Sequence, residues 1–260
     1  MYDTRLINEI MRQAGDIALG HFLDVEPTWK ENLTYVTQAD LAVQAFLHDA
    51  FQRHFPRDGF IAEENDMRRQ PRSGTRYWVV DPIDGTAAFA AGLPVWGVGV
   101  GLVEEGQPLA GFFCAPVVGD LFYTTPDGHV FRNDRRTKMP QPAAFHRETV
   151  LLIASRLHRY YTVSPDYPGK LRNLGSSLAH LCYVAGGNAD AALMERVYIW
   201  DIAAGMAMLV HNGGGLWYLD GTAVELGPLL SGERVPMPML AGPVETVSAF
   251  RSLITYSGEP

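Results

Sequence analysis

The stretch Asp81-Pro82-Ile83-Asp84-Gly85-Thr86 joins a predicted strand to a predicted helix, and the other candidate residues can be placed around it. The apolar residues 77–80 predict a buried strand that ends at Asp81, since Pro82 cannot donate a hydrogen bond to a neighbouring strand. Asp84 and Gly85 then turn the chain, and residues 86–91 can begin a helix. Carboxylates and backbone N–H groups therefore meet at one strand end, which suits a hard cation such as Mg²⁺ and a phosphate. A plain surface turn with a capping acid fits this stretch equally well.

Two further stretches place acids at the ends of apolar segments. Residues 60–62 predict a short strand that ends in Glu63 and Glu64. Trp200 precedes Asp201, which stands at the first turn of a predicted apolar helix. Three acidic ends on a chain that mixes strands and helices predict one site assembled from distant segments.

These three sets, in this order and spacing, resemble the inositol monophosphatase family from about residue 37 to about residue 215. The resemblance implies a layered αβαβα sandwich, an α/β (α+β) fold of the inositol monophosphatase and fructose-1,6-bisphosphatase type. It also implies a Mg²⁺-dependent, lithium-sensitive phosphatase that forms a homodimer. Residues 1–260 would be one phosphatase domain. The charged, proline-rich residues 132–148 suggest two subdomains, about 1–140 and 141–260.

The resemblance further implies roles for individual residues. Two or three Mg²⁺ ions would be held by four carboxylates, those of Glu63, Asp81, Asp84 and Asp201, and by the backbone carbonyl group of Ile83. Thr86 and Asp40 would activate the attacking water, and Glu63 would also be catalytic through its metal. Without the resemblance, Asp40 in Thr37-x-x-Asp40 predicts only a capping carboxylate at a helix start.

A second group of residues is expected to contact phosphate or substrate: Gly85, Thr86, Ser176, Glu195, Arg156, His158 and Lys30. Gly175-Ser176-Ser177 opens an apolar helix, and a helix N-terminus suits an anion. Ser155-Arg156-x-His158 is similar to a pattern of family members with nucleotide substrates, and alone it also fits a solvated loop. Glu195 lies one residue closer to Asp201 than the sugar-binding acid of typical inositol enzymes.

These features predict a phosphomonoesterase for a small phosphorylated metabolite, most like inositol monophosphate. A 3′(2′),5′-bisphosphate nucleotidase and a histidinol-phosphatase are the alternative enzymes. A regulatory binding protein on the same fold is the alternative that is not an enzyme. Such a protein would be expected to lack ligands of the metal, whereas the acids and Thr86 are all present.

Composition indicates which classes of binding partner and which cellular compartment to expect. The net charge of -8 argues against a general nucleic-acid binder, and 47% hydrophobic residues allow a large core. Cys114 and Cys182 stand in apolar surroundings and predict buried thiols in a reducing compartment. No apolar stretch of ~18 residues and no signal sequence is evident, so we expect a cytoplasmic protein without a membrane partner.

Periodicity predicts the remaining elements. Helices are expected over residues 3–23, 37–55, 178–185 and 201–210, and strands over 95–103, 108–115, 120–125, 129–132, 150–154, 190–194, 216–219 and 223–226. Residues 245–254 predict a terminal helix or strand. Gly97-x-Gly99-x-Gly101 is not read as a dinucleotide site, because it lies inside a predicted strand that runs into a turn.

Overall fold

The computed structural model describes residues 2–29, 35–64, 70, 75–140 and 143–256. Its helices are α1 (Thr4–His21), α2 (Gln38–His54), α3 (Thr86–Ala90), α4 (Ser177–Ala185), α5 (Ala203–His211) and α6 (Val244–Arg251). Its strands are β1 (Thr28–Trp29), β2 (Tyr35–Val36), β3 (Gly59–Ala62), β4 (Arg76–Asp84), β5 (Gly97–Glu104), β6 (Gln107–Ala115), β7 (Asp120–Thr124), β8 (Val130–Arg132), β9 (Arg135–Arg136), β10 (Val150–Ile153), β11 (Tyr161–Val163), β12 (Lys170–Arg172), β13 (Ala191–Met194), β14 (Gly215–Tyr218), β15 (Met239–Gly242) and β16 (Ile254–Tyr256). Two short 3₁₀ helices cover Leu157–Arg159 and Pro228–Ser231.

Strands β3 to β9 form a seven-stranded sheet in chain order. Strands β3 and β4 run parallel, and the other neighbours in this sheet run antiparallel. Because parallel strands end at the same edge of a sheet, Glu63 after β3 and Asp84 at the end of β4 come to one edge.

A five-stranded sheet carries the second half of the chain, in the order β12-β10-β13-β15-β14. Strands β12, β10 and β13 run parallel, and β15 runs antiparallel to both of its neighbours. Two small antiparallel pairs, β1 with β2 and β11 with β16, lie outside the two sheets.

The helices and sheets stack in five layers. Alternation along β4 buries Trp78 and Val80 in a core shared with α1 and α2, and Val79 in a core shared with α4 and α5. Helices α4 and α5 contact strands of both sheets, and α6 packs on β15 at the outer face of the second sheet. The order is therefore α1/α2, first sheet, α4/α5, second sheet, α6, and the predicted αβαβα sandwich is confirmed. The two predicted subdomains stay a prediction.

Glycines on β5 and β6 allow the central helices to approach the first sheet closely. A Cβ atom on Gly101 would lie 2.7 Å from the Cβ of Ala203, and one on Gly111 would lie 2.0 Å from the Ala204 carbonyl oxygen. A Cβ on Gly99 would meet the Leu178 side chain at 2.0 Å. Helix packing therefore explains Gly99 and Gly101 of β5 and Gly111 of β6.

Two strand predictions are wrong. Strand β4 does not stop at Asp81 but continues through Pro82 to Asp84, because its pairing with β5 shifts register there and needs no N–H from Pro82. The strand expected at residues 223–226 is absent from the described structure, in which Ala223 makes a single bridge to Trp217.

The predicted helix start at Asp201 is early by two residues, since α5 begins at Ala203. Residues 244–256 contain both of the elements offered as alternatives, α6 and then β16. None of the described helices combines the length and the hydropathy of a membrane-spanning segment.

Candidate active site

The end of β4 carries two buried acids, Asp81 and Asp84, on either side of the register shift. Gly85 follows with a φ of 91°, a left-handed conformation that glycine adopts without strain. A Cβ atom on Gly85 would also lie 2.9 Å from the Gly175 carbonyl oxygen. Glycine therefore allows both the tight turn into α3 and the close approach of the loop that leads to α4.

A third acid reaches the same place from the segment before α5. The backbone N–H of Tyr198 donates to Asp201 Oδ2 at 2.6 Å, which orients this carboxylate. One carboxylate oxygen each from Asp81, Asp84 and Asp201 lies within 4.8 Å of the other two. Glu63, directly after β3, lines the same cavity. The fold thus brings together all four acids that the sequence singles out as metal ligands.

Without a bound cation, the ionised form of these acids is unfavourable, because they are buried and repel one another. Burial raises the pKa of Asp81 well above its ordinary value of 3.8, and the nearby charges of Glu63, Asp84 and Asp201 raise it further. Burial also raises the pKa of Asp84 to about 6, although hydrogen bonds to this group act in the opposite direction. Asp81 Oδ1 is buried without a hydrogen-bond partner among the described residues. A cation bound here would offset the burial of the charges, reduce the repulsion between the acids, and give Asp81 Oδ1 a partner.

The N-terminus of α4 holds Asp84. The N–H groups of Ser177 and Leu178 donate to its two carboxylate oxygens at 3.2 and 2.8 Å, and the Ser176 hydroxyl donates to Oδ2. Ser176 Oγ also caps the helix by accepting the Ala179 N–H at 3.0 Å. The predicted anion at this helix N-terminus is therefore, at least in part, a carboxylate of the protein itself.

The start of α2 holds Asp40. Both the N–H and the hydroxyl of Thr37 donate to Asp40 Oδ2, at 2.7 and 2.6 Å, in a capping box. The other oxygen, Oδ1, accepts a hydrogen bond from the Thr86 hydroxyl at 3.4 Å, and Thr86 Oγ1 also lies 3.0 Å from the Ile83 carbonyl oxygen. The fold thus links the predicted water-activating pair, Thr86 and Asp40, at the edge of the acidic cluster.

A cavity of about 430 Å³ contains this cluster, and we call it the acidic cavity. It is lined by Trp29, Tyr35, Glu63, Asp81, Ile83, Asp84, Gly85, Thr86, Ala87, Arg156, Gly175, Ser177 and Asp201. Four carboxylates, the Thr86 hydroxyl and one guanidinium-bearing residue therefore face a common space. This is the arrangement expected for binding a phosphate together with cations.

A sequence model of the inositol monophosphatase family matches residues 4–245. The chain belongs to this family. Its members are metal-dependent phosphatases, so the predictions of the family and of a phosphoric monoester hydrolase are confirmed.

Two relatives are named as phosphatases of different substrates. An inositol-1-monophosphatase of Mesorhizobium japonicum is 30% identical over 218 residues, which cover 77% of this chain and 79% of that protein. A histidinol-phosphatase of Mycobacterium tuberculosis is 31% identical over 212 residues, which cover 77% and 80%. The crystal structure of the suppressor protein suhB from Bartonella henselae matches with a TM-score of 0.79 at 23% identity, over 96% of this chain and 97% of that one, and shows the shared fold. Family membership therefore leaves the substrate open.

The acids of this family member suit a hard divalent cation. Every side-chain donor in the cluster is a carboxylate oxygen, the ligand type that Mg²⁺ and Ca²⁺ prefer. Asp81 Oδ1 has no hydrogen-bond partner among the described residues, and burial raises the pKa of Asp84; a bound cation would offset both. The residues present therefore fit the metal dependence of the family.

The predicted substrate residues fall into separate places. Arg156 lines the acidic cavity. Glu195, with Ser176, lines an adjoining space of about 90 Å³, which we call the middle pocket. His158 is exposed on a 3₁₀ helix and is not among the described residues that line either space. Lys30 lies outside the described residues. Their roles in binding substrate stay predictions.

Sequence reasoning missed several residues at this site. The N–H groups of Ser177 and Leu178 bind Asp84, and the signal was present in the predicted helix start after Gly175. His180 lines the middle pocket, and its Nε2 accepts the Leu174 N–H at 3.0 Å. Burial lowers the pKa of His180 to about 4, so this ring is neutral at pH 7. In the sequence, a histidine on an apolar helix does not indicate that its neutral ring lines a pocket and accepts a backbone N–H.

Proposed function

We propose that this protein is a Mg²⁺-dependent phosphomonoesterase that acts on a small hydroxylated metabolite of the inositol monophosphate type. The proposal is carried by the cluster of buried Asp81 and Asp84 with half-buried Asp201, which lies beside the hydrogen-bonded pair Thr86 and Asp40. One oxygen of this cluster, Asp81 Oδ1, has no hydrogen-bond partner among the described residues. The acids would hold the cations, with Glu63 and the Ile83 carbonyl as additional ligands. When bound, Mg²⁺ supplies positive charge against the phosphate and the leaving oxygen.

The protein's own groups would position the phosphate and take up the proton. The backbone N–H groups of Gly85 and Thr86, at the start of α3, would donate to the phosphate oxygens. Thr86 Oγ1 would accept a hydrogen bond from the attacking water, and Asp40 Oδ1 would take the proton through that hydroxyl. The water oxygen would then attack phosphorus in line with the leaving oxygen, without a covalent enzyme intermediate.

A second candidate is a bisphosphate nucleotidase. The observation in its favour is that Arg156 lines the acidic cavity, where a guanidinium could bind one phosphate of such a substrate. The histidinol-phosphatase alternative has a named relative in its favour and no residue of its own at the cavity.

The test is Mg²⁺-dependent phosphate release from inositol 1-phosphate, histidinol phosphate, fructose 1,6-bisphosphate and 3′-phosphoadenosine 5′-phosphate, with and without lithium. Clear preference for one substrate, inhibition by lithium and loss of release in Asp201→Asn would support the proposal. The N–H of Tyr198 can donate to an asparagine oxygen at this position, so the variant should stay folded. Unchanged release from Asp201→Asn would contradict the assignment of the metal ligands.

A further inference from the structure

Gln44 carries a buried amide that the proposed mechanism does not use. It stands on α2 and is only 1% exposed. Its Nε2 donates to the Glu64 carbonyl oxygen at 2.6 Å, and its Oε1 accepts the Glu64 N–H at 2.8 Å. Both ends of the amide are therefore bound to the backbone of one residue, which directly follows the proposed cation ligand Glu63.

These two hydrogen bonds hold the chain where it leaves the first sheet. The last pair between β3 and β4 joins Ala62 to Val80, so Glu63 lies beyond this ladder. The Glu64 N–H belongs to the same planar peptide group as the Cα and the carbonyl group of Glu63. Holding this N–H therefore restricts the backbone rotation that decides where the Glu63 side chain points. Glu63 lines the acidic cavity, and its backbone is fixed by β3 on one side and by Gln44 on the other.

Helix α2 places Gln44 on the same face as Asp40, because residues four apart are neighbours on a helix. In the first turn, Asp40 accepts a hydrogen bond from the Thr86 hydroxyl. One turn later, Gln44 holds the backbone beside Glu63. One helix thus contacts both the residue proposed to orient the attacking water and the backbone next to a proposed cation ligand.

Packing alone does not require an amide at this position. The structure describes all of α2, and its buried residues other than Asp40 and Gln44 are apolar. A buried amide is unfavourable unless it is hydrogen-bonded, whereas an apolar side chain of similar size carries no such penalty. The two buried polar residues of α2 are therefore the two that contact groups at the acidic cavity or next to it.

We propose that Gln44 is a positioning residue for the cation ligand Glu63. By holding the peptide groups of Glu64, it directs the Glu63 carboxylate at the cations. The inference rests on the proposed function, in which Glu63 is a ligand, and it adds a residue that touches neither cation nor substrate. Residues that orient metal ligands typically contribute about 10-fold to 100-fold to metal affinity or activity.

The test is calorimetric titration of Mg²⁺ alone into the metal-free wild type, Gln44→Met and Gln44→Asn. Methionine keeps the approximate volume of glutamine without its amide, and the asparagine amide is one methylene too short to reach both peptide groups. Each variant should bind Mg²⁺ about 10-fold more weakly than the wild type. Thermal unfolding curves show whether each variant is folded.

Wild-type affinity in folded Gln44→Met overturns the inference. Gln44→Asn decides in the same way if the methionine variant does not fold. Failure of both variants to fold would assign Gln44 to folding alone and would also overturn it.

Thr124→Val is the matched control. Buried Thr124 Oγ1 accepts the Gly111 N–H at 3.0 Å and lies 3.3 Å from the Tyr2 hydroxyl oxygen, outside the acidic cavity. Valine keeps the shape of threonine and removes both hydrogen bonds, so stability should fall while Mg²⁺ affinity stays that of the wild type. An equal loss of affinity in this control would show that general destabilisation explains the Gln44 result, and would overturn the inference.

A double-mutant cycle tests whether Gln44 acts through Glu63. Glu63→Gln should weaken Mg²⁺ binding by itself, and adding Gln44→Met should then have little further effect. Unchanged binding in Glu63→Gln, or additive losses in the double variant, overturns the inference. The proposed function fails separately, if the wild type releases no phosphate from any substrate of the panel. Weaker Mg²⁺ binding in Gln44→Met supports the positioning role in either case.

Discussion

The N-termini of α2 and α4 each orient a carboxylate, but one carboxylate is close to its helix start in the chain and the other is distant from it. Each helix begins at a hydroxyl cap, Thr37 or Ser176, and each start holds a carboxylate. One of these carboxylates lines the acidic cavity, and the other is hydrogen-bonded to Thr86, which lines it. At α2 the carboxylate is Asp40, three residues after its cap. At α4 the carboxylate is Asp84, 92 residues before its cap in the chain.

The two helix starts show that one site can depend both on contacts within a single turn and on contacts between distant segments. The capping box at α2 can form as soon as the helix forms, because both partners lie in the same turn. The α4 contact needs the first sheet and the central helix layer to be packed together. Asp84 therefore gains its orientation from the tertiary fold, and its N–H donors partly offset the cost of burying its charge.

The largest expected effect comes from removing the charge at the α4 start. Asp84→Asn should lower turnover by about 10³-fold, since an amide attracts a cation far less than a carboxylate does. The amide oxygen can still accept N–H groups from α4, so the fold should persist. The measurement is Mg²⁺-dependent phosphate release together with a thermal unfolding curve.

A matched control is Asp120→Asn, at another buried acid, which pairs with Arg132 outside the acidic cavity. This variant should lose stability while its turnover still responds to Mg²⁺. Near wild-type turnover in Asp84→Asn would show that the α4 start only supports structure.

At the α2 start, Asp40→Asn should reduce kcat by about 10²-fold, because the amide cannot take up the proton that passes through Thr86. The Mg²⁺ concentration for half-maximal activity should stay the same, in contrast to Asp84→Asn. Asp49→Asn, at an exposed position of the same helix, is the control. A shifted Mg²⁺ requirement in Asp40→Asn would instead place Asp40 among the metal ligands.

The α4 start should also respond to pH through His180. Its pKa is about 4 in the folded protein and 6.5 in the unfolded chain, so the unfolded state binds more protons between these values. This contribution to stability is fully present above pH 6.5 and is lost as the pH falls toward 4, by about 3 kcal/mol.

The measurement is the free energy of unfolding between pH 4 and 7 for the wild type and His180→Gln, whose amide can still accept the Leu174 N–H. Only the difference between the two proteins isolates His180, since the raised pKa of Asp84 makes an opposite contribution. Parallel curves for the two proteins would contradict the prediction.

The smallest effects should come from the caps themselves. Ser176→Ala and Thr37→Ala should each cost about 1 kcal/mol of stability, as loss of a hydroxyl cap does elsewhere. Ser176→Ala should also raise the Mg²⁺ requirement, because Asp84 loses one of its donors. Asp3→Ala removes the cap of α1, which lies outside the acidic cavity, and should change stability without changing the Mg²⁺ requirement. An equal Mg²⁺ requirement in the Ser176 and Asp3 variants would show that the Ser176 hydroxyl does not affect how Asp84 binds a cation.

Much of the site was predictable because its signals are local. The acids stand next to apolar strands or helices, and a strand end fixes where its last side chain can lie. The strand end at Asp81 was mispredicted for a physical reason, since a register shift lets Pro82 remain in the ladder. The donors from α4 to Asp84 were missed, because a capping serine in the sequence predicts a helix N-terminus but does not show which anion binds there.

The four acids were predictable from the sequence because each stands at or beside the end of an apolar segment, and the resemblance to the inositol monophosphatase family supplied the αβαβα fold class. The contacts of Asp84 with α4 and of Thr86 with Asp40 follow from the packing of the whole fold. Each of them joins residues at least 46 positions apart in the chain. The packing of layers and loops sets which residues meet, and no local sequence pattern indicates these pairs.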